Sequence, residues 1–121
     1  MTAGQGIVHA EMFPLLNTDG PNTAELFQIW LNLPKVSKMV DLHFKMLWNE
    51  DIPIIEQKDI SGKGTTIQLV TGTINDIISL PSTPDSWAAK PENAVAVYTA
   101  KMEPGAIWTL SKTLAQTNRS I

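Results

Sequence analysis

The sequence predicts an all-β chain of antiparallel strands arranged as a sandwich or barrel. Three observations lead there. Two stretches alternate their side chains between two faces with the period of two that a strand requires. β-Branched residues gather in a run at residues 65–71. Proline and glycine, 8 and 7 in 121 residues, punctuate the chain at intervals that leave little room for helix.

Each element follows in order. Residues 6–13 place Ile7, His9, Glu11 and Phe13 on one face and Val8, Ala10 and Met12 on the other, the pattern of a strand buried on both sides. Pro14 ends it, and residues 17–22, rich in Asn, Asp, Gly and Pro, form a loop. A second strand is predicted over 26–33, with Phe27, Ile29, Leu31 and Leu33 on one face, stopped by Pro34. Between 35 and 48 the apolar spacing suits short helical turns. A strand then opens near Ile52-Pro53-Ile54-Ile55. The turn Ser61-Gly62-Lys63-Gly64 leads into the strand 65–71, closed by Gly72. Residues 79–93, with Pro81, Pro84 and Pro91, read as a long loop; 94–102 return as strand, Glu103-Pro104-Gly105 turn, and 106–110 form a last short strand. Residues 111–121 are polar, with no terminating element.

Composition narrows the function. A chain of 121 residues is one domain or two small subdomains, which excludes a large multidomain enzyme. Nine Lys and Arg against twelve Asp and Glu give a net charge of −3, so no electrostatic footprint for direct nucleic-acid binding is present. Zero cysteines remove disulfides, thiolate metal sites and cysteine nucleophiles together. No window reaches the ~18 consecutive apolar residues of a membrane helix, and Met1 to Gly6 lack a basic region followed by an apolar core. A cytoplasmic protein without membrane contact is the expectation.

Any metal must therefore use histidine and carboxylate. His9 and Glu11 stand two apart on a predicted strand, so their side chains leave one face with Cα atoms roughly 6.5 Å apart. An imidazole nitrogen with a carboxylate oxygen suits Fe, Mn, Ni or Zn. The same pair also suits a hydrogen-bonded buried contact. His43, the other histidine, would complete a two-His, one-carboxylate set, although its irregular surroundings favour a solvated side chain. Gly4-Gln5-Gly6 and Gly62-Lys63-Gly64 lack phosphate-loop spacing, no nucleophile elbow brackets a serine, and the four tryptophans lack the interleaved basic residues of a base-stacking surface.

Residues 2–12, Thr2-Ala3-Gly4-Gln5-Gly6-Ile7-Val8-His9-Ala10-Glu11-Met12, resemble the strand of the pirin family that carries its second pair of iron ligands. Residues 27–34 with Lys38-Met39, then Ile52-Pro53, Val70-Thr71-Gly72, Thr83-Pro84 and Glu103-Pro104-Gly105, match that family in the same order, and the resemblance runs to about residue 110. It implies a cupin or jelly-roll antiparallel β sandwich, here as a truncated bicupin: residues 1–45 resemble the end of a first barrel, 46–51 a connection, and 52–121 the start of a second. It further implies a single iron held by three histidines and one glutamate. His9 and Glu11 match two of those four ligands. The family's preceding His-x-His pair has no counterpart in this sequence, Ala10 stands where serine is usual, and residues 40–46 diverge. Pirins are described as transcriptional cofactors and as quercetin-cleaving dioxygenases. For this chain the resemblance implies a non-catalytic or assembly-dependent segment, with two alternatives. One is an iron-dependent quercetin 2,3-dioxygenase, with a flavonol ligand, Glu11 as base and a site completed by another chain. The other is an interaction module like a transcriptional cofactor. Unpaired strand edges predict a homo-oligomer.

Overall fold

The computed structural model describes residues 1–111. Its regular structure is antiparallel β throughout: β1 (Ile54–Lys58), β2 (Gly64–Thr71), β3 (Thr73–Ile74), β4 (Ile77–Ile78) and β5 (Val97–Met102). Three single-turn 3-10 helices, at Lys35–Ser37, Trp87–Ala89 and Pro91–Asn93, accompany them, and no α-helix occurs among the described residues. The all-β expectation holds.

β2 is the centre of a three-stranded sheet of order β1-β2-β5, pairing Ile55 with Ile67 on one side and Ile67 with Ala100 on the other. The sequence explains why this strand is central. In Gly64–Thr71 the residues Thr65, Ile67 and Leu69 point to one face and are buried, Ile67 and Leu69 completely. Ile55 and Ile74 join them in the core, and Tyr98 and Trp108 pack against it with their rings edge to face at 5.6 Å and 86°. Burying side chains of this size contributes roughly 1.5–3 kcal/mol each. Val70 bulges where β2 meets β5, and the chain then bends at Gly72. Gly72 sits at φ +99°, and a β-carbon there would lie 2.6 Å from the Val95 carbonyl oxygen. Only glycine fits.

The β1–β2 connection is the expected turn, with a specific lock. Asp59 Oδ1 accepts from the Ser61 amide and hydroxyl, both at 2.8 Å, and from the Lys63 amide at 3.0 Å. Its Oδ2 accepts from the Ile107 amide at 2.9 Å. The Ile107 bond above all, then those from Ser61 and Lys63, lowers the Asp59 carboxyl to about 2. Glu103 braces the same turn by accepting from the Gly64 amide at 2.7 Å.

Several local expectations are corrected. β3 and β4 form a small hairpin that the periodicity did not show, turning on Asn75 and Asp76 at φ +48° and +65°. Residues 106–110 are not a strand, because the Ala106 and Ile107 amides bond to the Glu103 carbonyl and the Asp59 carboxylate instead of to a ladder. Helical turns between 35 and 48 reduce to Lys35–Ser37. The largest correction concerns residues 6–13 and 26–33, neither of which is a strand. No backbone amide or carbonyl from residue 7 to 15, or from 23 to 33, bonds to another described residue. Alternation supplies a face to bury, but a strand exists only where a second strand accepts its hydrogen bonds. Most of the expectation for 111–121 lies outside the described residues.

The first fifty residues are nevertheless tied to the sheet half. Thr2 and His43 exchange two backbone hydrogen bonds, at 2.8 and 3.0 Å. The Thr2 hydroxyl, buried, meets the Thr83 hydroxyl at 2.8 Å, and Lys45 Nζ donates to the Pro81 carbonyl. Thr71 in turn bonds Ser82 through their hydroxyls, which links this knot to the end of β2. No helix among the described residues is long and apolar enough to cross a membrane.

Candidate functional site

His9 and Glu11 lie together on the unladdered segment after Gly6. His9 Nε2 is 3.8 Å from Glu11 Oε1, and both side chains are open to solvent, 39% and 55% exposed. Their two-residue spacing places both donors on one side of the chain, as predicted. The buried hydrogen-bonded alternative is thereby replaced by an exposed pair. One nitrogen and one oxygen donor suit iron by type. They do not suit it by number, because a held ion needs three or four protein ligands and outer partners that orient them.

His43 does not supply the third ligand. Its Nε2 lies 3.1 Å from Asp85 Oδ2, and Asp85 reaches it from a backbone at φ +56°. Among the described residues no group of three or more His, Asp or Glu side chains could hold a metal. The possible third-ligand role of His43 is not realised; the side chain is partly exposed and hydrogen-bonds Asp85. Sequence spacing offered no route to Asp85, which lies 42 residues away in a proline-rich loop.

The remaining expectations resolve simply. Gly62-Lys63-Gly64 is a turn, with Lys63 Nζ donating to the Pro104 carbonyl. Trp108 packs on the core, whereas Trp30 and Trp48 are exposed. Residues 7–31 also expose Val8, Met12, Phe13, Leu16, Phe27 and Leu31.

An antiparallel all-β chain with a His-x-Glu pair on its first segment is consistent with a cupin-type β fold. Comparison with known proteins gives the family. The chain is 31% identical over 127 aligned positions to Pirin-like protein 2 of Arabidopsis thaliana, covering 92% of this chain and 36% of that one. It is 41% identical over 61 residues to a pirin-like protein of Solanum lycopersicum, covering 50% and 19%. Over 84 residues it is 34% identical to a Thermoplasma acidophilum protein named "Putative quercetin 2,3-dioxygenase", covering 64% and 31%. The chain belongs to the pirin family as a segment of it. It spans about a fifth to a third of the length of these relatives. No family profile and no solved structure matches it.

Proposed function

We propose that this chain is a pirin-type cupin segment that carries half of a mononuclear iron site and does not catalyse by itself. The observation that carries this reading is the His9 and Glu11 pair, whose donor atoms are 3.8 Å apart and exposed. Among the described residues, no third donor stands beside it. The name "Putative quercetin 2,3-dioxygenase" of one relative supports a flavonol as the substrate class, and the resemblance of residues 2–12 to the pirin ligand strand supports iron as the metal. Iron, if bound, would supply Lewis acidity toward the flavonol and redox chemistry toward oxygen. His9 would offer its ring nitrogen as ligand, and Glu11 would serve either as ligand or as the base that takes the flavonol hydroxyl proton. Donors from outside this segment complete the set.

The test loads the chain with Fe(II) without oxygen, removes unbound metal, and measures iron content and oxygen consumption with quercetin. The expected result is no oxygen consumption, with any retained iron lost in the His9→Ala/Glu11→Ala variant. Quercetin-dependent oxygen consumption that the double variant lacks would show a complete site and overturn the reading.

A further inference from the structure

Asp19 is the aspartate of this chain that precedes a glycine; the other five precede Leu42, Ile52, Ile60, Ile77 and Ser86. A side chain on the following residue crowds the approach of its amide nitrogen to the carboxyl group. Gly20 has no such side chain, and its backbone turns freely. Asp19 and Gly20 are also exposed, in the loop that follows Pro14.

The loop is held shut in a way that leaves both groups free. Asn22 Oδ1 accepts from the Leu16 amide at 3.0 Å and the Asn17 amide at 2.8 Å. Asn22 Nδ2 donates to the Asn17 carbonyl at 2.8 Å and the Gly20 carbonyl at 3.2 Å, and Asn17 Nδ2 donates to the Pro21 carbonyl at 3.3 Å. This clasp uses neither the Asp19 carboxylate nor the Gly20 amide. Among the described residues neither group has a hydrogen-bond or ion-pair partner. Asp59 and Asp85 differ: the first accepts bonds from Ser61, Lys63 and Ile107, and the second is held by His43.

We propose that Asp19-Gly20 is a self-modifying site, at which the folded chain converts aspartate into isoaspartate through a cyclic imide. The Gly20 nitrogen attacks Asp19 Cγ and forms a C–N bond, while the carboxyl hydroxyl and the amide proton leave as one water. A second water then opens the ring. Attack at Cγ restores aspartate; attack at the Asp19 backbone carbonyl breaks the original peptide bond and leaves the chain running through Cβ and Cγ. One water leaves and one returns, so mass and oxidation state are unchanged. The product frees a carboxylate on Cα and lengthens the backbone by one carbon–carbon bond, roughly 1.5 Å. Every bond from Asn22 to Leu16 and Asn17 spans Asp19, so the clasp loosens when the chain between its ends grows. The partner that the product fits is a methyltransferase that reads an isoaspartyl α-carboxylate.

The experiment ages the full chain in neutral buffer at physiological temperature, digests it, and separates the peptide that holds Asp19 by chromatography with mass detection. Isoaspartate is counted by methyl transfer from S-adenosylmethionine with an isoaspartyl methyltransferase. The expected result is a second peptide of unchanged mass and shifted retention that grows with time and accepts methyl groups, accompanied by a minor form lighter by one water. Gly20→Ala should slow its growth several-fold. A β-carbon there comes no nearer than 3.8 Å, to Asn17, so the loop keeps its shape. Asp19→Glu keeps the charge and should abolish the product, because its ring would need a sixth member. Hydrogen exchange at the Leu16 and Asn17 amides should quicken in the aged chain. No shifted peptide from the unaltered chain, or as much of it from either variant, overturns the site. Modification that leaves both amides exchanging at their original rates overturns the loosening of the clasp.

Discussion

The two halves of this chain received equally strong β patterns and reached different ends. In the half from Ile54 to Met102, β2 has a partner on each side, and alternation becomes burial, with Ile67 and Leu69 fully enclosed. In the half before residue 50, Val8 and Met12 alternate just as regularly with His9 and Glu11, yet they meet only solvent. Periodicity states which face would be buried; the hydrogen-bonding edge decides whether it is. The chemistry-bearing pair lies in the half without the ladder, which is why it can be read as waiting for a partner.

Substitutions can break or sharpen this contrast. The largest effect is expected at the core: Leu69→Ala or Ile67→Ala should cost about 3 kcal/mol in denaturant unfolding, through lost burial and the cavity left behind. Should either change cost less than about 1 kcal/mol, the sheet would not be the stable half. Gly72→Ala comes next, at about 2 kcal/mol, since a β-carbon would press on Val95 and Ala96 in a conformation that alanine resists. Thr83→Val should cost about 1 kcal/mol by removing the shorter of the two hydrogen bonds of the buried Thr2 hydroxyl, which keeps the Pro84 carbonyl as acceptor. Hydrogen exchange should then quicken at the Thr2 and His43 amides while the β2 amides stay protected; uniform quickening would mean that the knot and the sheet unfold as one.

A smaller, pH-dependent effect belongs to Asp59. Its carboxyl is held at about 2, below the ordinary value, so its contribution is intact above about pH 4 and is lost as pH falls through 2. Asp59→Asn should flatten the acid limb of the stability curve over that window, and an unchanged limb would assign it to another carboxylate. Smallest of all, Leu31→Ser should change the stability of the isolated chain by less than about 0.5 kcal/mol, because that side chain is already exposed.

The legible parts of the sequence were those whose causes are local. The β-branched run and the turn before it specified β2 and its hairpin, since turn chemistry and burial there lie within twenty residues. His9 and Glu11 were legible as a pair because spacing along one segment fixes their separation. Asp85 beside His43, the Thr2 and Thr83 hydroxyl contact, and the Asp59 bond to Ile107 were not, because each joins residues more than 40 apart. The hairpin at Asn75 and Asp76 was available in principle: two residues that tolerate positive φ stand between two short β-branched pairs.

The bonds between Thr2 and His43 carry one more consequence. They turn the intervening stretch of about 40 residues from a dangling arm into a closed loop with both feet on the sheet half. Bringing the ends of such a loop together costs roughly 3 kcal/mol of chain entropy. That cost is met once, within the monomer, by the Thr2, His43 and Thr83 contacts. Whatever later engages residues 7–13 meets a segment already confined near the sheet, and so orders less chain than the length of the loop suggests.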